Sequence, residues 1–224
     1  MPLRIFILFS GGASLAKWLK KQIARYGTEY VFVGAFTNKK AASGREFFAE
    51  ENIPVCYLGY KKFCEENKLD PEATESNDQY FSEIAALAKL HNADLILCAG
   101  FMKIIPVSFI ARFPNRILNV HPADLSKEER GMRLYTGANA VEKAYNAGEK
   151  IMNSTIHYVT PEVDGGPIVA ISPDHITDFT ISWQENQDIM KDACDGPAGA
   201  KALHKIFVDD EQLGITELWE RWLQ

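Results

Sequence analysis

Long apolar runs, paired cysteines, blocks of positive charge and repeated segments are all missing from this chain of 224 residues, and each absence narrows what it can be. The opening run, MPLRIFILFSGG, is too short to span a bilayer and leads straight into a glycine turn and an amphipathic segment, as a first core strand does. No other stretch approaches membrane length, so the expected location is cytoplasmic, with no membrane partner. Cys56, Cys64, Cys98 and Cys194 lack C-x-x-C spacing, and two of them lie in or beside apolar runs; they read as reduced thiols. The 24 Lys and Arg residues are outnumbered by 30 Asp and Glu, giving a formal net charge of -6. The cations are scattered, so no face suits a run of phosphates and nucleic acid is not an expected partner. The 5 histidines show neither H-E-x-x-H nor a pairing with spaced cysteines, so no metal is assigned.

What is present is an ordinary globular composition, 46% hydrophobic and 24% charged. It is enough for one α/β domain with a substantial core, alone or with a short helical tail. Apolar runs alternate with helical periodicity at the start: strands are expected at 3–9, 30–37 and 54–58, and helices at 14–26 and 41–51, a βαβ rhythm that implies a parallel sheet. Residues 59–77 read as a polar surface excursion before a helix at 79–91. Strands follow at 94–99 and 116–120, separated by a turn at Gly100-Phe101-Met102 and a short helix opening at Pro106. A long charged loop to Gly137, a helix at 138–147 and a strand at 151–160 come next. Asp164-Gly165-Gly166-Pro167 then breaks the chain before a strand at 168–171. Helical periodicity covers 183–207, interrupted near Gly196-Pro197, and returns at 216–223, so the expected division is a domain over 1–208 and a helical tail over 209–224.

Three places have residue types suited to chemistry. Gly11, Gly12, Ala13 and Ser14 follow the first strand and open the first helix, where backbone N–H groups can hold an anion, although neither G-x-G-x-x-G nor a Walker pattern is present. The plainer reading is a tight turn capped by Ser14. Asn119 and His121 lie two residues apart at a strand end, so both project from one face toward the crevice where ligands gather in parallel sheets. An Asn amide can donate to a developing oxyanion and a His can hold or deliver a proton, although both also satisfy ordinary turns. Asp164 sits in a glycine turn that admits close approach of a ligand, and a carboxylate beside an imidazole would orient it and favour its charge; spacing alone does not bring the two together. His157 reads as a packed or hydrogen-bonded core residue.

Taken together, IFILFSGGAS, LILCAGFMKIIPVSFI, RILNVHP and STIHYVTPEVDGGPIV occur in an order that resembles the folate-dependent formyltransferase family over roughly three quarters of the chain. The resemblance implies an α/β, Rossmann-like formyltransferase fold with a mostly parallel central sheet flanked by helices. It also implies Asn119, His121 and Asp164 as the catalytic set and 10-formyltetrahydrofolate as co-substrate. The folate would lie along Met102, Lys103, Ile104 and Ile105 and along Val159, Thr160, Pro161, Glu162 and Val163. A phosphate of the acceptor would lie at Gly11, Gly12, Ala13 and Ser14. The acceptor it implies is a small-molecule amine, glycinamide ribonucleotide or a related phosphorylated or sugar amine, handled by a monomer or homodimer. Hydrolysis of 10-formyltetrahydrofolate and non-catalytic binding of a folate or nucleotide are the alternatives. The first turn departs from the family by lacking its asparagines, and the stretch from Asp124 to Met132 replaces an apolar run; there Arg130 and Arg133 are candidates to clamp an anion.

Overall fold

A computed structural model of the chain describes residues 2–26 and 30–213. The first half is β1 (Leu3–Phe9), α1 (Ser14–Tyr26), β2 (Tyr30–Thr37), α2 (Gly44–Glu50), β3 (Val55–Tyr57), α3 (Tyr60–Asn67), α4 (Thr74–Leu90), β4 (Leu95–Cys98) and α5 (Val107–Ile110). The second half is β5 (Ile117–His121), β6 (Glu128–Glu129), β7 (Met132–Arg133), α6 (Ala140–Asn146), β8 (Ile151–Met152), β9 (Thr155–Tyr158), β10 (Ile168–Ile171), β11 (His175–Ile176), α7 (Trp183–Met190), a π turn (Lys191–Asp195) and α8 (Gly196–Leu213). Seven strands form the central sheet in the order β10-β9-β5-β4-β1-β2-β3. From β5 through β4, β1 and β2 to β3 the pairs are parallel, and β9 and β10 join antiparallel at the other edge.

β1 shows why the sheet is covered on both faces. Its run LRIFILF alternates between two cores, as a strand buried on both sides must. Ile5, Ile7 and Phe9 pack with Leu15 and Leu19 of α1, Phe48 of α2 and Ala198 and Ala202 of α8. Phe6 and Leu8 pack on the opposite side with Tyr80, Phe81 and Ile84 of α4 and with Phe109 of α5. The expected α/β architecture with a mostly parallel sheet between helices is the one observed.

Several expected boundaries change, each for a local reason. The polar excursion at 59–77 contains α3, which buries Phe63 and Cys64 and ends at Lys68 in the left-handed region (φ 56°) without a glycine to mark the stop. The single strand expected at 151–160 is two: Asn153 and Ser154 turn their side chains to Ser172, Pro173, Asp174 and Asp195, which breaks β8 from β9. The charged loop after His121 contains a hairpin, β6 and β7, closed by Arg130 and Gly131, both at positive φ (53° and 76°), as a two-residue primed turn needs. The interruption near Gly196-Pro197 is the π turn, which runs straight on from α7 into α8 and is where the helix accommodates Pro197, a residue with no N–H to give to the preceding turn. α8 runs through the boundary expected after residue 208, and the helix expected at 216–223 lies outside the described residues.

Candidate active site

The carboxyl ends of β1, β4 and β5 open side by side because Leu8 pairs with Cys98 and Cys98 with Asn119. Above them lies a cleft of about 670 Å³. Asn119 and His121 reach it from β5, and Asp164 from the turn before β10. Met102, Lys103, Ile104 and Ile105 line one wall, and Val159, Thr160, Pro161, Glu162 and Val163 line another, so the expected folate residues share one cavity with the expected catalytic set. Of the first turn, Ser14 lines the cleft while Gly11, Gly12 and Ala13 lie behind it, with the Gly11 carbonyl accepting from the Gly44 N–H. Ser10 ties that turn to the folate wall: its hydroxyl donates to Asn38 Oδ1 (2.8 Å) and accepts from the Met102 N–H (2.9 Å).

His121 is buried and gripped on both ring nitrogens. Nε2 donates to the Tyr135 carbonyl at 2.7 Å, and Nδ1 lies 3.3 Å from Asp164 Oδ2. Burial pushes the imidazole below its ordinary range, while the Asp164 carboxylate and the Tyr135 carbonyl pull it back up. Asp164 itself has φ 54°, a left-handed backbone that aims its carboxylate inward. Burial alone would raise this carboxyl; the His157 ring 3.4 Å from Oδ1, the nearby His121 and the Gly137 N–H donating to Oδ2 (2.7 Å) outweigh it and hold the group below the usual carboxylate range. The site is therefore an anion set among donors, facing an imidazole whose charge it favours.

Two residues enter that the sequence reading did not assign to the site. His157 is one of them, because β9 pairs antiparallel with β5 in a register that sets Asn119 directly opposite His157. Its Nδ1 donates to the Tyr158 carbonyl (2.9 Å), and Nε2 stands between Asn119 Nδ2 (3.2 Å) and Asp164 Oδ1 (3.4 Å). Asp195 lines the cleft from the π turn, nearly buried, with the Ser154 hydroxyl donating to Oδ1 at 2.6 Å; burial pushes its carboxyl up to about 6. Arg133, the candidate clamp, holds backbone: its Nη1 donates to the carbonyls of Asp164 (2.6 Å) and Gly166 (2.8 Å), because β7 runs beside the glycine turn. Arg130, at the exposed hairpin tip, carries no contact to the cleft among the described residues.

The described residues contain no group of His, Cys, Asp and Glu spaced to hold a metal ion and no helix long and apolar enough to cross a membrane. The sequence profile of the formyl transferase family matches residues 3–191. The chloroplastic phosphoribosylglycinamide formyltransferase of Arabidopsis thaliana is 31% identical over 75% of this chain, which spans 54% of that protein. The phosphoribosylglycinamide formyltransferase of Mycobacterium tuberculosis (strain CDC 1551 / Oshkosh) is 33% identical over 79% of this chain and 73% of its own length. Among solved structures, the phosphoribosylglycinamide formyltransferase of Anaplasma phagocytophilum superposes with a TM-score of 0.73 at 27% identity, covering 90% of this chain and 86% of the other. A family profile that spans most of the chain, together with a cleft that gathers Asn119, His121 and Asp164, identifies this protein as a member of the formyl transferase family.

Proposed function

We propose that this enzyme transfers the formyl group of 10-formyltetrahydrofolate to the amine of glycinamide ribonucleotide or of a related phosphorylated or sugar amine. The observation that carries the reading is the contact between His121 and Asp164, beside the Asn119 amide, in one cleft. The chemistry of the walls suits a flat, largely apolar co-substrate: Met102 and Ile104, 74% and 73% exposed, stand together at the mouth and offer it apolar surface. Lys103 stands with them, its Nζ 3.6 Å from the Tyr60 ring centroid, and burial lowers its pKa.

The acceptor nitrogen attacks the formyl carbon and the carbonyl electrons move to oxygen. Asn119, in the same cleft, is placed to donate an amide hydrogen to that oxyanion. His121 adds its own N–H once the substrate oxygen takes the place of the Tyr135 carbonyl on Nε2. Asp164 favours the imidazolium and lies where the proton leaving the amine passes toward the folate nitrogen, whose bond to the formyl carbon then breaks. Ser14 at the start of α1 offers the backbone N–H groups of a helix terminus to an anionic group of the acceptor.

The test is release of tetrahydrofolate from 10-formyltetrahydrofolate, measured with a panel of amines. Asn119→Ala, His121→Ala and Asp164→Asn should each lower kcat by about two to four orders of magnitude, with folate affinity changed much less. Parent-like turnover in all three would refute the site. Release that does not depend on an amine would point to hydrolysis, and folate binding without any turnover to a binding protein.

A further inference from the structure

We infer that Arg133 is a positioning residue for the reaction: by holding the carbonyls of Asp164 and Gly166 it fixes the glycine turn so that the Asp164 carboxylate stays on His121. The argument starts from the backbone. Asp164 is in the left-handed region (φ 54°), which Asp adopts more readily than most side chains but still at a cost its surroundings must offset. That conformation is what turns the carboxylate inward while the carbonyl points the other way. A carbonyl so turned needs a donor, and a guanidinium is the strongest one available on a protein. Arg133 Nη1 supplies it at 2.6 Å, and the same nitrogen takes the Gly166 carbonyl at 2.8 Å, so one group spans both sides of the Gly165 bend.

Arg133 is itself held in place. β7 pairs with β6 through Glu128 and Arg133, and the Leu134 N–H donates to the Lys127 carbonyl (2.8 Å). Lys127 and the Tyr135 hydroxyl both bind Glu149, at 2.7 and 2.9 Å, which anchors the two ends of the hairpin to the loop before β8. Four residues of chain beyond Arg133 then deliver the Tyr135 carbonyl to His121 and the Gly137 N–H to Asp164. The hairpin and the chain that follows it thus grip the catalytic pair, with Arg133 as the contact to the Asp164 backbone.

The inference rests on the formyl-transfer reading for its kinetic arm alone. In the free protein the groups facing His121 are the Asp164 carboxylate, the His157 ring and Lys143. The Asp164 carboxylate raises the imidazole most, with the Tyr135 carbonyl adding to it, so a turn loosened from His121 must lower it further. Arg133→Met and Arg133→Gln are compared with the parent by kcat, by KM for the folate and by the titration of His121 followed by NMR on histidine-labelled protein. The expected result is a kcat lower by about tenfold or more, a folate KM within about twofold, and a His121 midpoint moved down, with partial recovery of kcat in Arg133→Lys. An unchanged midpoint and kcat in a folded variant overturn the inference, even if its melting temperature falls. A midpoint that moves up also overturns it, since that is the signature of merely removing a nearby positive charge. If Arg133→Met does not fold, Arg133→Gln or Arg133→Lys is read by the same criteria. A parent without turnover sinks the formyl-transfer reading, and the titration still decides the role of Arg133.

Discussion

Asp195 offers a test that depends on no substrate. It closes the π turn, is 9% exposed, and accepts the Ser154 hydroxyl. Burial pushes its carboxyl up to about 6 from 3.8, against the Ser154 hydrogen bond and the charge of Lys191, which pull it down. Below pH 3.8 the folded and unfolded chains both hold this proton and the group leaves stability unchanged. Between 3.8 and 6 the unfolded chain gives the proton up first, so stability falls as pH rises, and above 6 the loss is complete. At 1.36 kcal/mol per pKa unit that loss is on the order of 3 kcal/mol. Asp195→Asn keeps an oxygen for the Ser154 hydroxyl and removes the charge. At pH 8 it should therefore be more stable than the parent by on the order of 1–3 kcal/mol, several °C in melting temperature for a chain of this size. Toward pH 5 the gap should narrow. Urea denaturation of both proteins at half-unit steps from pH 5 to 8 measures it. Parallel stability curves, or a gap that widens as pH falls, would refute the account of a carboxylate ionised against its burial.

Two further outcomes follow from the walls of the cleft and from the turn beside it. Ile104→Asp places a charge on a side chain that is 73% exposed, so the melting temperature should hold while KM for 10-formyltetrahydrofolate rises about tenfold or more; equal loss of stability and affinity would deny Ile104 its contact with the co-substrate. Gly166→Ala would set a Cβ 1.8 Å from the Tyr158 carbonyl oxygen, so β9 and the turn must part, at a cost of about 3 kcal/mol in urea denaturation. A variant with parent-like stability would mean that the turn has more room than this contact leaves.

How much of this was legible in the sequence depended on whether the signal was local. β1, α1 and β2 start and stop where apolar periodicity and the glycine turn place them, since burial on both faces of the sheet writes an uninterrupted apolar run. Asn119, His121 and Asp164 could be named because the motifs around them resemble a family; their meeting in space is a result of folding, with Asp164 brought back to β5 by the β9 and β10 hairpin. His157 was read as a core histidine because its partner is a cross-strand neighbour, and alternation along one strand does not reveal which strand lies beside it. The HYV segment just before the Asp-Gly-Gly turn was the available clue. Arg133 was only a candidate anion clamp in the sequence, and its bonds to backbone carbonyls were not legible there because such partners leave no trace in residue type. α3 escaped because its eight residues have no side-chain cap and their apolar positions are few.

Tyr135 is a non-glycine residue held at φ 57°, with its carbonyl lodged on His121 Nε2 and its hydroxyl tied to Glu149. A carbonyl in that place is chemically the same kind of guest as the oxygen of a formyl group, so this peptide rehearses the interaction the transition state needs. Substrate entry becomes an exchange of one acceptor for another, with the number of hydrogen bonds on the ring unchanged.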